Sequence, residues 1–209
     1  MVAEGEHARL EFKESLIAPP YIAKAVSALS NHDGGYLLIG VNDLQEIPGI
    51  AQPIVQTRLL DNIICEWLQP VPAYETGIVP LWETGLAVIW VRLFANPAYM
   101  VQAWHEEGHW RVYLRTGDRS LPCGKFQKRL LEQGVRPVYA GEQQLQWPKS
   151  EQKIWKQLYR LGNATPREVG QKANISERRA RFVLDRWAKS GLLIVDETAE
   201  LTYVLPNYI

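Results

Sequence analysis

The chain has 209 residues, 46% of them hydrophobic and 22% charged, and its 23 basic and 23 acidic side chains give a formal net charge of zero. That length suits one ordinary domain plus one small one, and its apolar runs, such as Leu86 to Val91, fall far short of the ~20 residues that cross a bilayer, so no membrane partner is expected. The opening residues MVAEGEHARLEFK are charged and lack a signal-peptide core, and Cys65 and Cys123 have no disulfide-framework or zinc-ligand spacing, which points to a reducing cytoplasm.

LEFK reads as a short strand on which Glu11 and Lys13 share one face while Phe12 points to the core. Pro20 to Leu29 follows as a helix with Ile22, Ala25, Val26 and Leu29 inward, ended by Gly34-Gly35. YLLIGV is a buried strand, and a second helix runs from near Pro53 to Leu68. Further strands cover Ala73 to Trp82, Leu86 to Phe94, Tyr99 to Trp104 and Trp110 to Arg115, and a helix near Phe126 to Glu132 closes the domain. Strands interleaved with few helices predict an α+β domain built on a mixed sheet over residues 1–135, not a doubly wound one.

Three local patterns in this domain suggest chemistry. His105 to His109 reads HEEGH, the letters of a zinc protease motif, but that motif needs a helix, and Glu107-Gly108 falls between two strands where a hairpin turn belongs. Gly34-Gly35 lacks the Gly-Lys-Ser/Thr that a Walker-type phosphate loop requires. The turn from Arg115 to Ser120 combines arginines, hydroxyls and a glycine, making Arg115 and Arg119 candidate phosphate contacts, with a simple tight turn as the alternative. Trp82, Trp104 and Trp110 are assigned to the core in preference to base stacking.

A polar stretch ending at Trp147 reads as a linker over residues 136–147, and the remaining residues, 148–209, carry helical and then strand-like patterning. Ile154, Leu158 and Leu161 mark a first helix. Thr165-Pro166-Arg167-Glu168 has the form of a capping box that starts a short second one. Ser176 caps a third helix through Ser190, with Val183, Leu184 and Trp187 on one face and Gly191 after it. LLIVDETAELTYVL then supplies two strands around a polar turn, so the segment is predicted to be a small winged helix-turn-helix. From Pro148 onward 11 basic residues stand against 7 acidic, leaving 12 against 16 before it, so the cationic excess belongs to this module. Arg178, Arg179, Arg181, Arg186 and Lys189 fill the non-apolar face of the third helix and are the candidate nucleic-acid contacts, with the first three nearest the end that reads bases. Winged helices also serve as protein-interaction modules, and that alternative stays open.

The segments EHARLEFKES, SALSNHDGGYLLIGVND and YLRTGDRS resemble the three signatures of the Schlafen-type AlbA-like domain, over roughly residues 4 to 125. The resemblance implies two functions. Bacterial proteins of this kind often couple the domain to a helix-turn-helix and are regarded as transcriptional regulators. Other Schlafens are endoribonucleases acting on structured RNA such as tRNA, and by resemblance Glu6, Glu11 and Asp43 match their acidic triad. These carboxylates would hold Mg²⁺ or Mn²⁺, with Lys13 in support. Nuclease Schlafens carry two such lobes and a zinc site, whereas this chain has one lobe, and a homodimer would supply the second. The alternative for the triad is a strand-surface pair of Glu11 with Lys13 and a turn closed by Asp43. The leading expectation is a cytoplasmic DNA-binding transcriptional regulator, acting as a homodimer. A Mg/Mn-dependent endoribonuclease with RNA as its partner is the alternative.

Overall fold

The computed structural model describes residues 1–16, 18–95, 98–135, 137 and 147–206 of the chain. They divide into two units, Met1–Leu121 and Pro122–Ile209.

The first unit begins with β1 (Leu10–Lys13), where Leu10 and Phe12 enter an apolar cluster with Leu38, Val41 and Val88. Strand alternation then turns Glu11 and Lys13 to the opposite face. α1 (Pro19–Ser30) starts on two prolines, whose fixed φ suits the first turn and whose missing N–H groups would find no helical partner there. The helix returns the chain to β2 (Gly35–Ile39), parallel to β1 with Glu11 opposite Leu37. A parallel pair requires such a crossover.

Next come α2 (Pro53–Trp67), β3 (Leu68–Gln69), β4 (Tyr74–Leu81) and β5 (Leu86–Leu93). β6 (Gln102–His105), β7 (His109–Thr116) and β8 (Arg119–Pro122) complete the meander. One sheet has the order β1-β2-β5-β4 and a second the order β3-β6-β7-β8. In the first sheet β1 and β2 run parallel while β2/β5 and β4/β5 are antiparallel, so the sheet is mixed, as the patterning predicted. α1 packs against both sheets, which is why Ile22, Ala23, Ala25, Val26, Ala28 and Leu29 are all buried around its circumference.

Two features of the SNHDGG segment explain how α1 is fixed. Asn31, at the helix end, donates its amide to the carbonyls of Val101 (2.8 Å) and Tyr113 (3.0 Å) and accepts the Val101 N–H (2.8 Å). The glycine pair lets backbones close on one another. A Cβ on Gly34 would lie 2.4 Å from the Leu93 carbonyl oxygen, and one on Gly35 would lie 2.3 Å from that of Arg9. The pair is a packing requirement of β2 and needs no phosphate to account for it.

Trp82 departs from its expected place in the core: it is 83% exposed, in the turn that leaves β4. Trp104 and Trp110 are half-buried and meet edge to face, 5.2 Å apart, across the β6–β7 pair.

The second unit contains α3 (Lys125–Glu132), α4 (Lys149–Leu161), β9 (Asn163–Ala164), α5 (Pro166–Ala173) and α6 (Glu177–Lys189). β10 (Ile194–Asp196) and β11 (Thr202–Val204) complete an antiparallel three-stranded sheet of order β10-β11-β9. α3 corrects the predicted boundary at residue 135. Its Leu130 joins Ile154, Trp155, Leu158, Val183, Leu184 and Trp187 in the second core, and its Gln127 side chain accepts the Val195 N–H at 2.9 Å. Its apolar stripe therefore closes the second unit and not the first. Of the expected linker, residues 136 and 138–146 lie outside the described residues, while Trp147 stacks on Trp187 with ring centroids 4.7 Å apart.

Candidate nucleic-acid interface

In the first unit a cleft of about 300 Å³ opens over the polar face of β1. Its lining includes Glu11 and Lys13 from β1, Tyr21 and Lys24 from α1, Arg115 from β7, Asp118 from the β7–β8 turn, and Arg119 and Ser120 from β8. Glu11 is 7% exposed and Arg115 1%, and they form a buried ion pair. Glu11 Oε1 also accepts from Lys13 Nζ, whereas Oε2 lies against Arg115 without an aligned hydrogen bond. The remaining guanidinium donors are spent internally, on the carbonyls of His7 (3.2 and 3.3 Å) and Leu10 (3.1 Å) and on Ser120 Oγ (3.3 Å). Burial, with Lys13, Arg119 and Arg115 nearby, holds the Lys24 ammonium below the usual lysine range despite the opposing pull of Glu11. Four basic side chains thus face two carboxylates, and the cleft is a cationic concavity suited to a phosphate.

A second cavity of about 370 Å³ shares Lys13 and Tyr21 and adds Glu14, Asn42 and Asp43. Asn42 Oδ1 accepts the N–H groups of Leu44 (3.0 Å) and Glu46 (2.9 Å), forming a turn that leaves Asp43 exposed. Glu6 lines neither cavity. Its carboxylate accepts the Phe12 N–H at 2.6 Å, and burial, reinforced by the charge of Glu11, raises its pKa.

In the second unit α6 carries a basic outer face because Ala180, Val183, Leu184, Trp187 and Ala188 turn inward. Ser176 caps it by accepting the Arg179 N–H at 3.2 Å. α5 before it has the reciprocal Thr165–Glu168 capping box, whose hydrogen bonds hold the Glu168 carboxyl below its ordinary pKa. Arg178, Arg179, Arg181, Arg186 and Lys189 are exposed. Arg181 pairs with Glu177 at 3.5 Å, and Arg186 reaches Glu151 of α4, itself only 4% exposed. Asp185 accepts the Tyr203 hydroxyl from β11, tying the sheet to the helix.

Residues 6–124 match the family described as Schlafen, AlbA_2. The chain belongs to the Schlafen AlbA_2 family. Membership carries a nucleic-acid-related function in general. The match covers β1 through β8, so the second unit lies almost wholly beyond the Schlafen AlbA_2 domain. Among solved structures, the crystal structure of the DIP2311 protein from Corynebacterium diphtheriae is similar at 20% identity, over 57% of this chain and 26% of that one, with a TM-score of 0.42. The present chain therefore spans about a quarter of that protein. No curated protein matches. No helix among the described residues is long and apolar enough to cross a membrane.

The Schlafen AlbA_2 domain brings some of the predicted site residues together and leaves others apart. Glu11, Lys13, Arg115 and Arg119 share one cleft, and Asp43 belongs to the adjoining cavity through Lys13. Glu6, Glu11 and Asp43 do not converge as a metal site. Among the described residues the one trio of potential ligands with atoms all within 4.8 Å of one another is His105, Glu107 and His109. Arg115, expected on a surface turn, is instead the floor of the cleft. Sequence reasoning missed Lys24 and Tyr21, which one helical turn of α1 places over β1, and Phe182, 59% exposed on α6 beneath the Arg179 guanidinium at 6.0 Å. Phe182 was legible as an apolar residue off the stripe formed by Val183, Leu184 and Trp187.

Proposed function

We propose that this Schlafen AlbA_2 protein is a DNA-binding transcriptional regulator whose second unit is a winged helix-turn-helix. In this reading α5 and α6 form the helix-turn-helix, α6 enters the major groove, and β10 and β11 with their connecting turn form the wing. The helix–strand order α4-β9-α5-α6-β10-β11 supports that assignment. The observation that carries the reading is the outer face of α6, where Arg178, Arg179 and Lys189 project to solvent and form no ion pair among the described residues. Arginines near the start of such a helix contact base edges and phosphates. Arg186, committed to Glu151, serves the scaffold as much as the DNA.

The cleft over β1 provides a second, sequence-independent contact, in which Lys13, Lys24 and Arg119 receive a backbone phosphate. A homodimer would present two recognition helices to a two-fold site. The endoribonuclease alternative would need Glu6, Glu11 and Asp43 to share Mg²⁺ or Mn²⁺. Glu11 is already engaged by Arg115 and Lys13, so we do not adopt it. Titration of labelled duplex DNA at increasing salt tests the proposal. Binding at low salt, weakened by roughly 1–3 kcal/mol for each of Arg178→Ala and Arg179→Ala, is the expected result. No binding, or the same affinity and salt slope in both variants, would refute it. Incubation with tRNA and Mn²⁺ is expected to leave the RNA intact. Cleavage that Glu11→Gln abolishes would restore the nuclease.

A further inference from the structure

The β6–β7 hairpin carries the HEEGH pattern in a context that no zinc protease uses, yet its side chains meet. His105 and His109 are directly opposed across the antiparallel pair, with ring centroids 5.2 Å apart. Glu107, in the turn between them, places a carboxylate oxygen 3.7 Å from His105 Nδ1 and 4.0 Å from His109 Nε2. One potential ligand atom from each of the three lies within 4.8 Å of the others. In a helix the two histidines would meet because they are one turn apart; here they meet because the strand register pairs them.

What occupies the focus of these groups is Arg111. Its Nε donates to His109 Nε2 at 2.6 Å, one terminal nitrogen donates to Glu107 at 2.9 Å, and the other stands 3.3 Å from His105 Nε2. A single guanidinium thus gathers two imidazoles and a carboxylate, the donor set that a borderline divalent metal prefers. Glu107 and His109 are exposed, and Arg111, two residues into β7, is only half-buried, so its side chain can swing to solvent and the ligands can close by the ångström or so that tetrahedral bonds of about 2.0–2.1 Å require. Glycine at position 108 takes φ of +81° with nothing within 4 Å of a Cβ there, so the turn has room to adjust.

We propose that the hairpin tip is a Zn²⁺ site with His105, Glu107 and His109 as ligands, a fourth position open to solvent, and Arg111 as the resident cation that zinc displaces. Glu107 is a ligand here and has no role as a general base. Mg²⁺ and Mn²⁺, which favour oxygen donors, are poor competitors for two imidazoles.

The test uses the full chain, freed of metal by chelator and titrated with Zn²⁺ against a chromogenic competitor, with Co²⁺ absorption as a second readout. One equivalent is expected to bind, unaffected by millimolar Mg²⁺. His105→Ala and His109→Ala should each weaken binding by more than about tenfold and abolish the Co²⁺ ligand-field bands. Arg111→Ala, which keeps all three ligands, should bind more tightly. Unchanged thermal melting of the apo variants shows that the hairpin still folds. Absence of zinc binding by the parent chain, or parent-like affinity in both histidine variants, would overturn the site. Unchanged or weaker binding in Arg111→Ala would overturn the displacement.

Discussion

Arg115 and Arg178 show two opposite uses of the same side chain. Arg115 sits in the floor of the Schlafen AlbA_2 cleft, with its donors distributed over three backbone carbonyl contacts and a serine hydroxyl, and its charge set against Glu11. Arg178 stands on the outer face of α6, exposed and in no ion pair among the described residues. A buried cation of the first kind holds its unit together, because removing it strands a carboxylate in a place that water does not reach. A cation of the second kind contributes little to folding and remains available to a polyanion. On the proposed reading the unpaired arginines of α6 are binding capacity, whereas the Arg115–Glu11 pair of the first unit is structure.

The largest effect should come from Arg115→Ala, which leaves Glu11 buried and unpaired on that side and is expected to cost about 3–5 kcal/mol in urea unfolding. Adding Glu11→Gln should recover part of that loss, because the two charges act as one unit. A loss below about 0.5 kcal/mol, typical of surface changes, would erase the contrast with Arg178. In the second unit Thr165→Ala removes the capping box of α5 and should destabilise by about 1 kcal/mol without changing the arginine face. The double variant Arg178→Ala/Arg179→Ala should stay within about 0.5 kcal/mol of the parent in unfolding, yet lower the salt slope of DNA binding by about 2. Large destabilisation there would mean that the outer face of α6 is structural after all.

Glu6 sharpens the same contrast at the smallest scale. Its folded pKa lies above the ordinary 4.5, raised first by burial and then by Glu11. Its contribution to stability is thus fully present below the unfolded value and declines as pH rises through the folded one. Glu6→Gln can still accept the Phe12 N–H and should flatten that decline as pH rises above the ordinary 4.5, measured as the urea midpoint. An identical pH profile in parent and variant would show that the burial of Glu6 carries no cost.

Much of the fold is legible in the sequence. The 3.6-residue spacing of Ile22, Ala25, Val26 and Leu29, the Thr165–Glu168 box and the Ser176 cap are local signals, and the structure places helices where they predict. What escaped was non-local. The apolar stripe of α3 announces an amphipathic helix but says nothing about which core receives Leu130. β3 and β9 have two residues each, too short to carry a period. Arg115 looked like a turn residue because its partners, His7, Leu10 and Glu11, lie more than a hundred positions earlier in the chain. HEEGH was set aside for lacking a helix, since spacing alone does not reveal that strand register brings the same histidines together.

Asn31 has a consequence for motion. Val101 lies just outside β6, in no ladder, and its amide is donated to a side chain on α1 and not to a neighbouring strand. Such an amide would ordinarily exchange with solvent on the timescale of loop fluctuation. Here it is buried and released only when the end of α1 parts from the β6–β7 hairpin. The exchange rate of that one proton therefore reports the opening of the helix–sheet junction, and it should fall to the rate of the surrounding core in the native chain and rise selectively in Asn31→Ala.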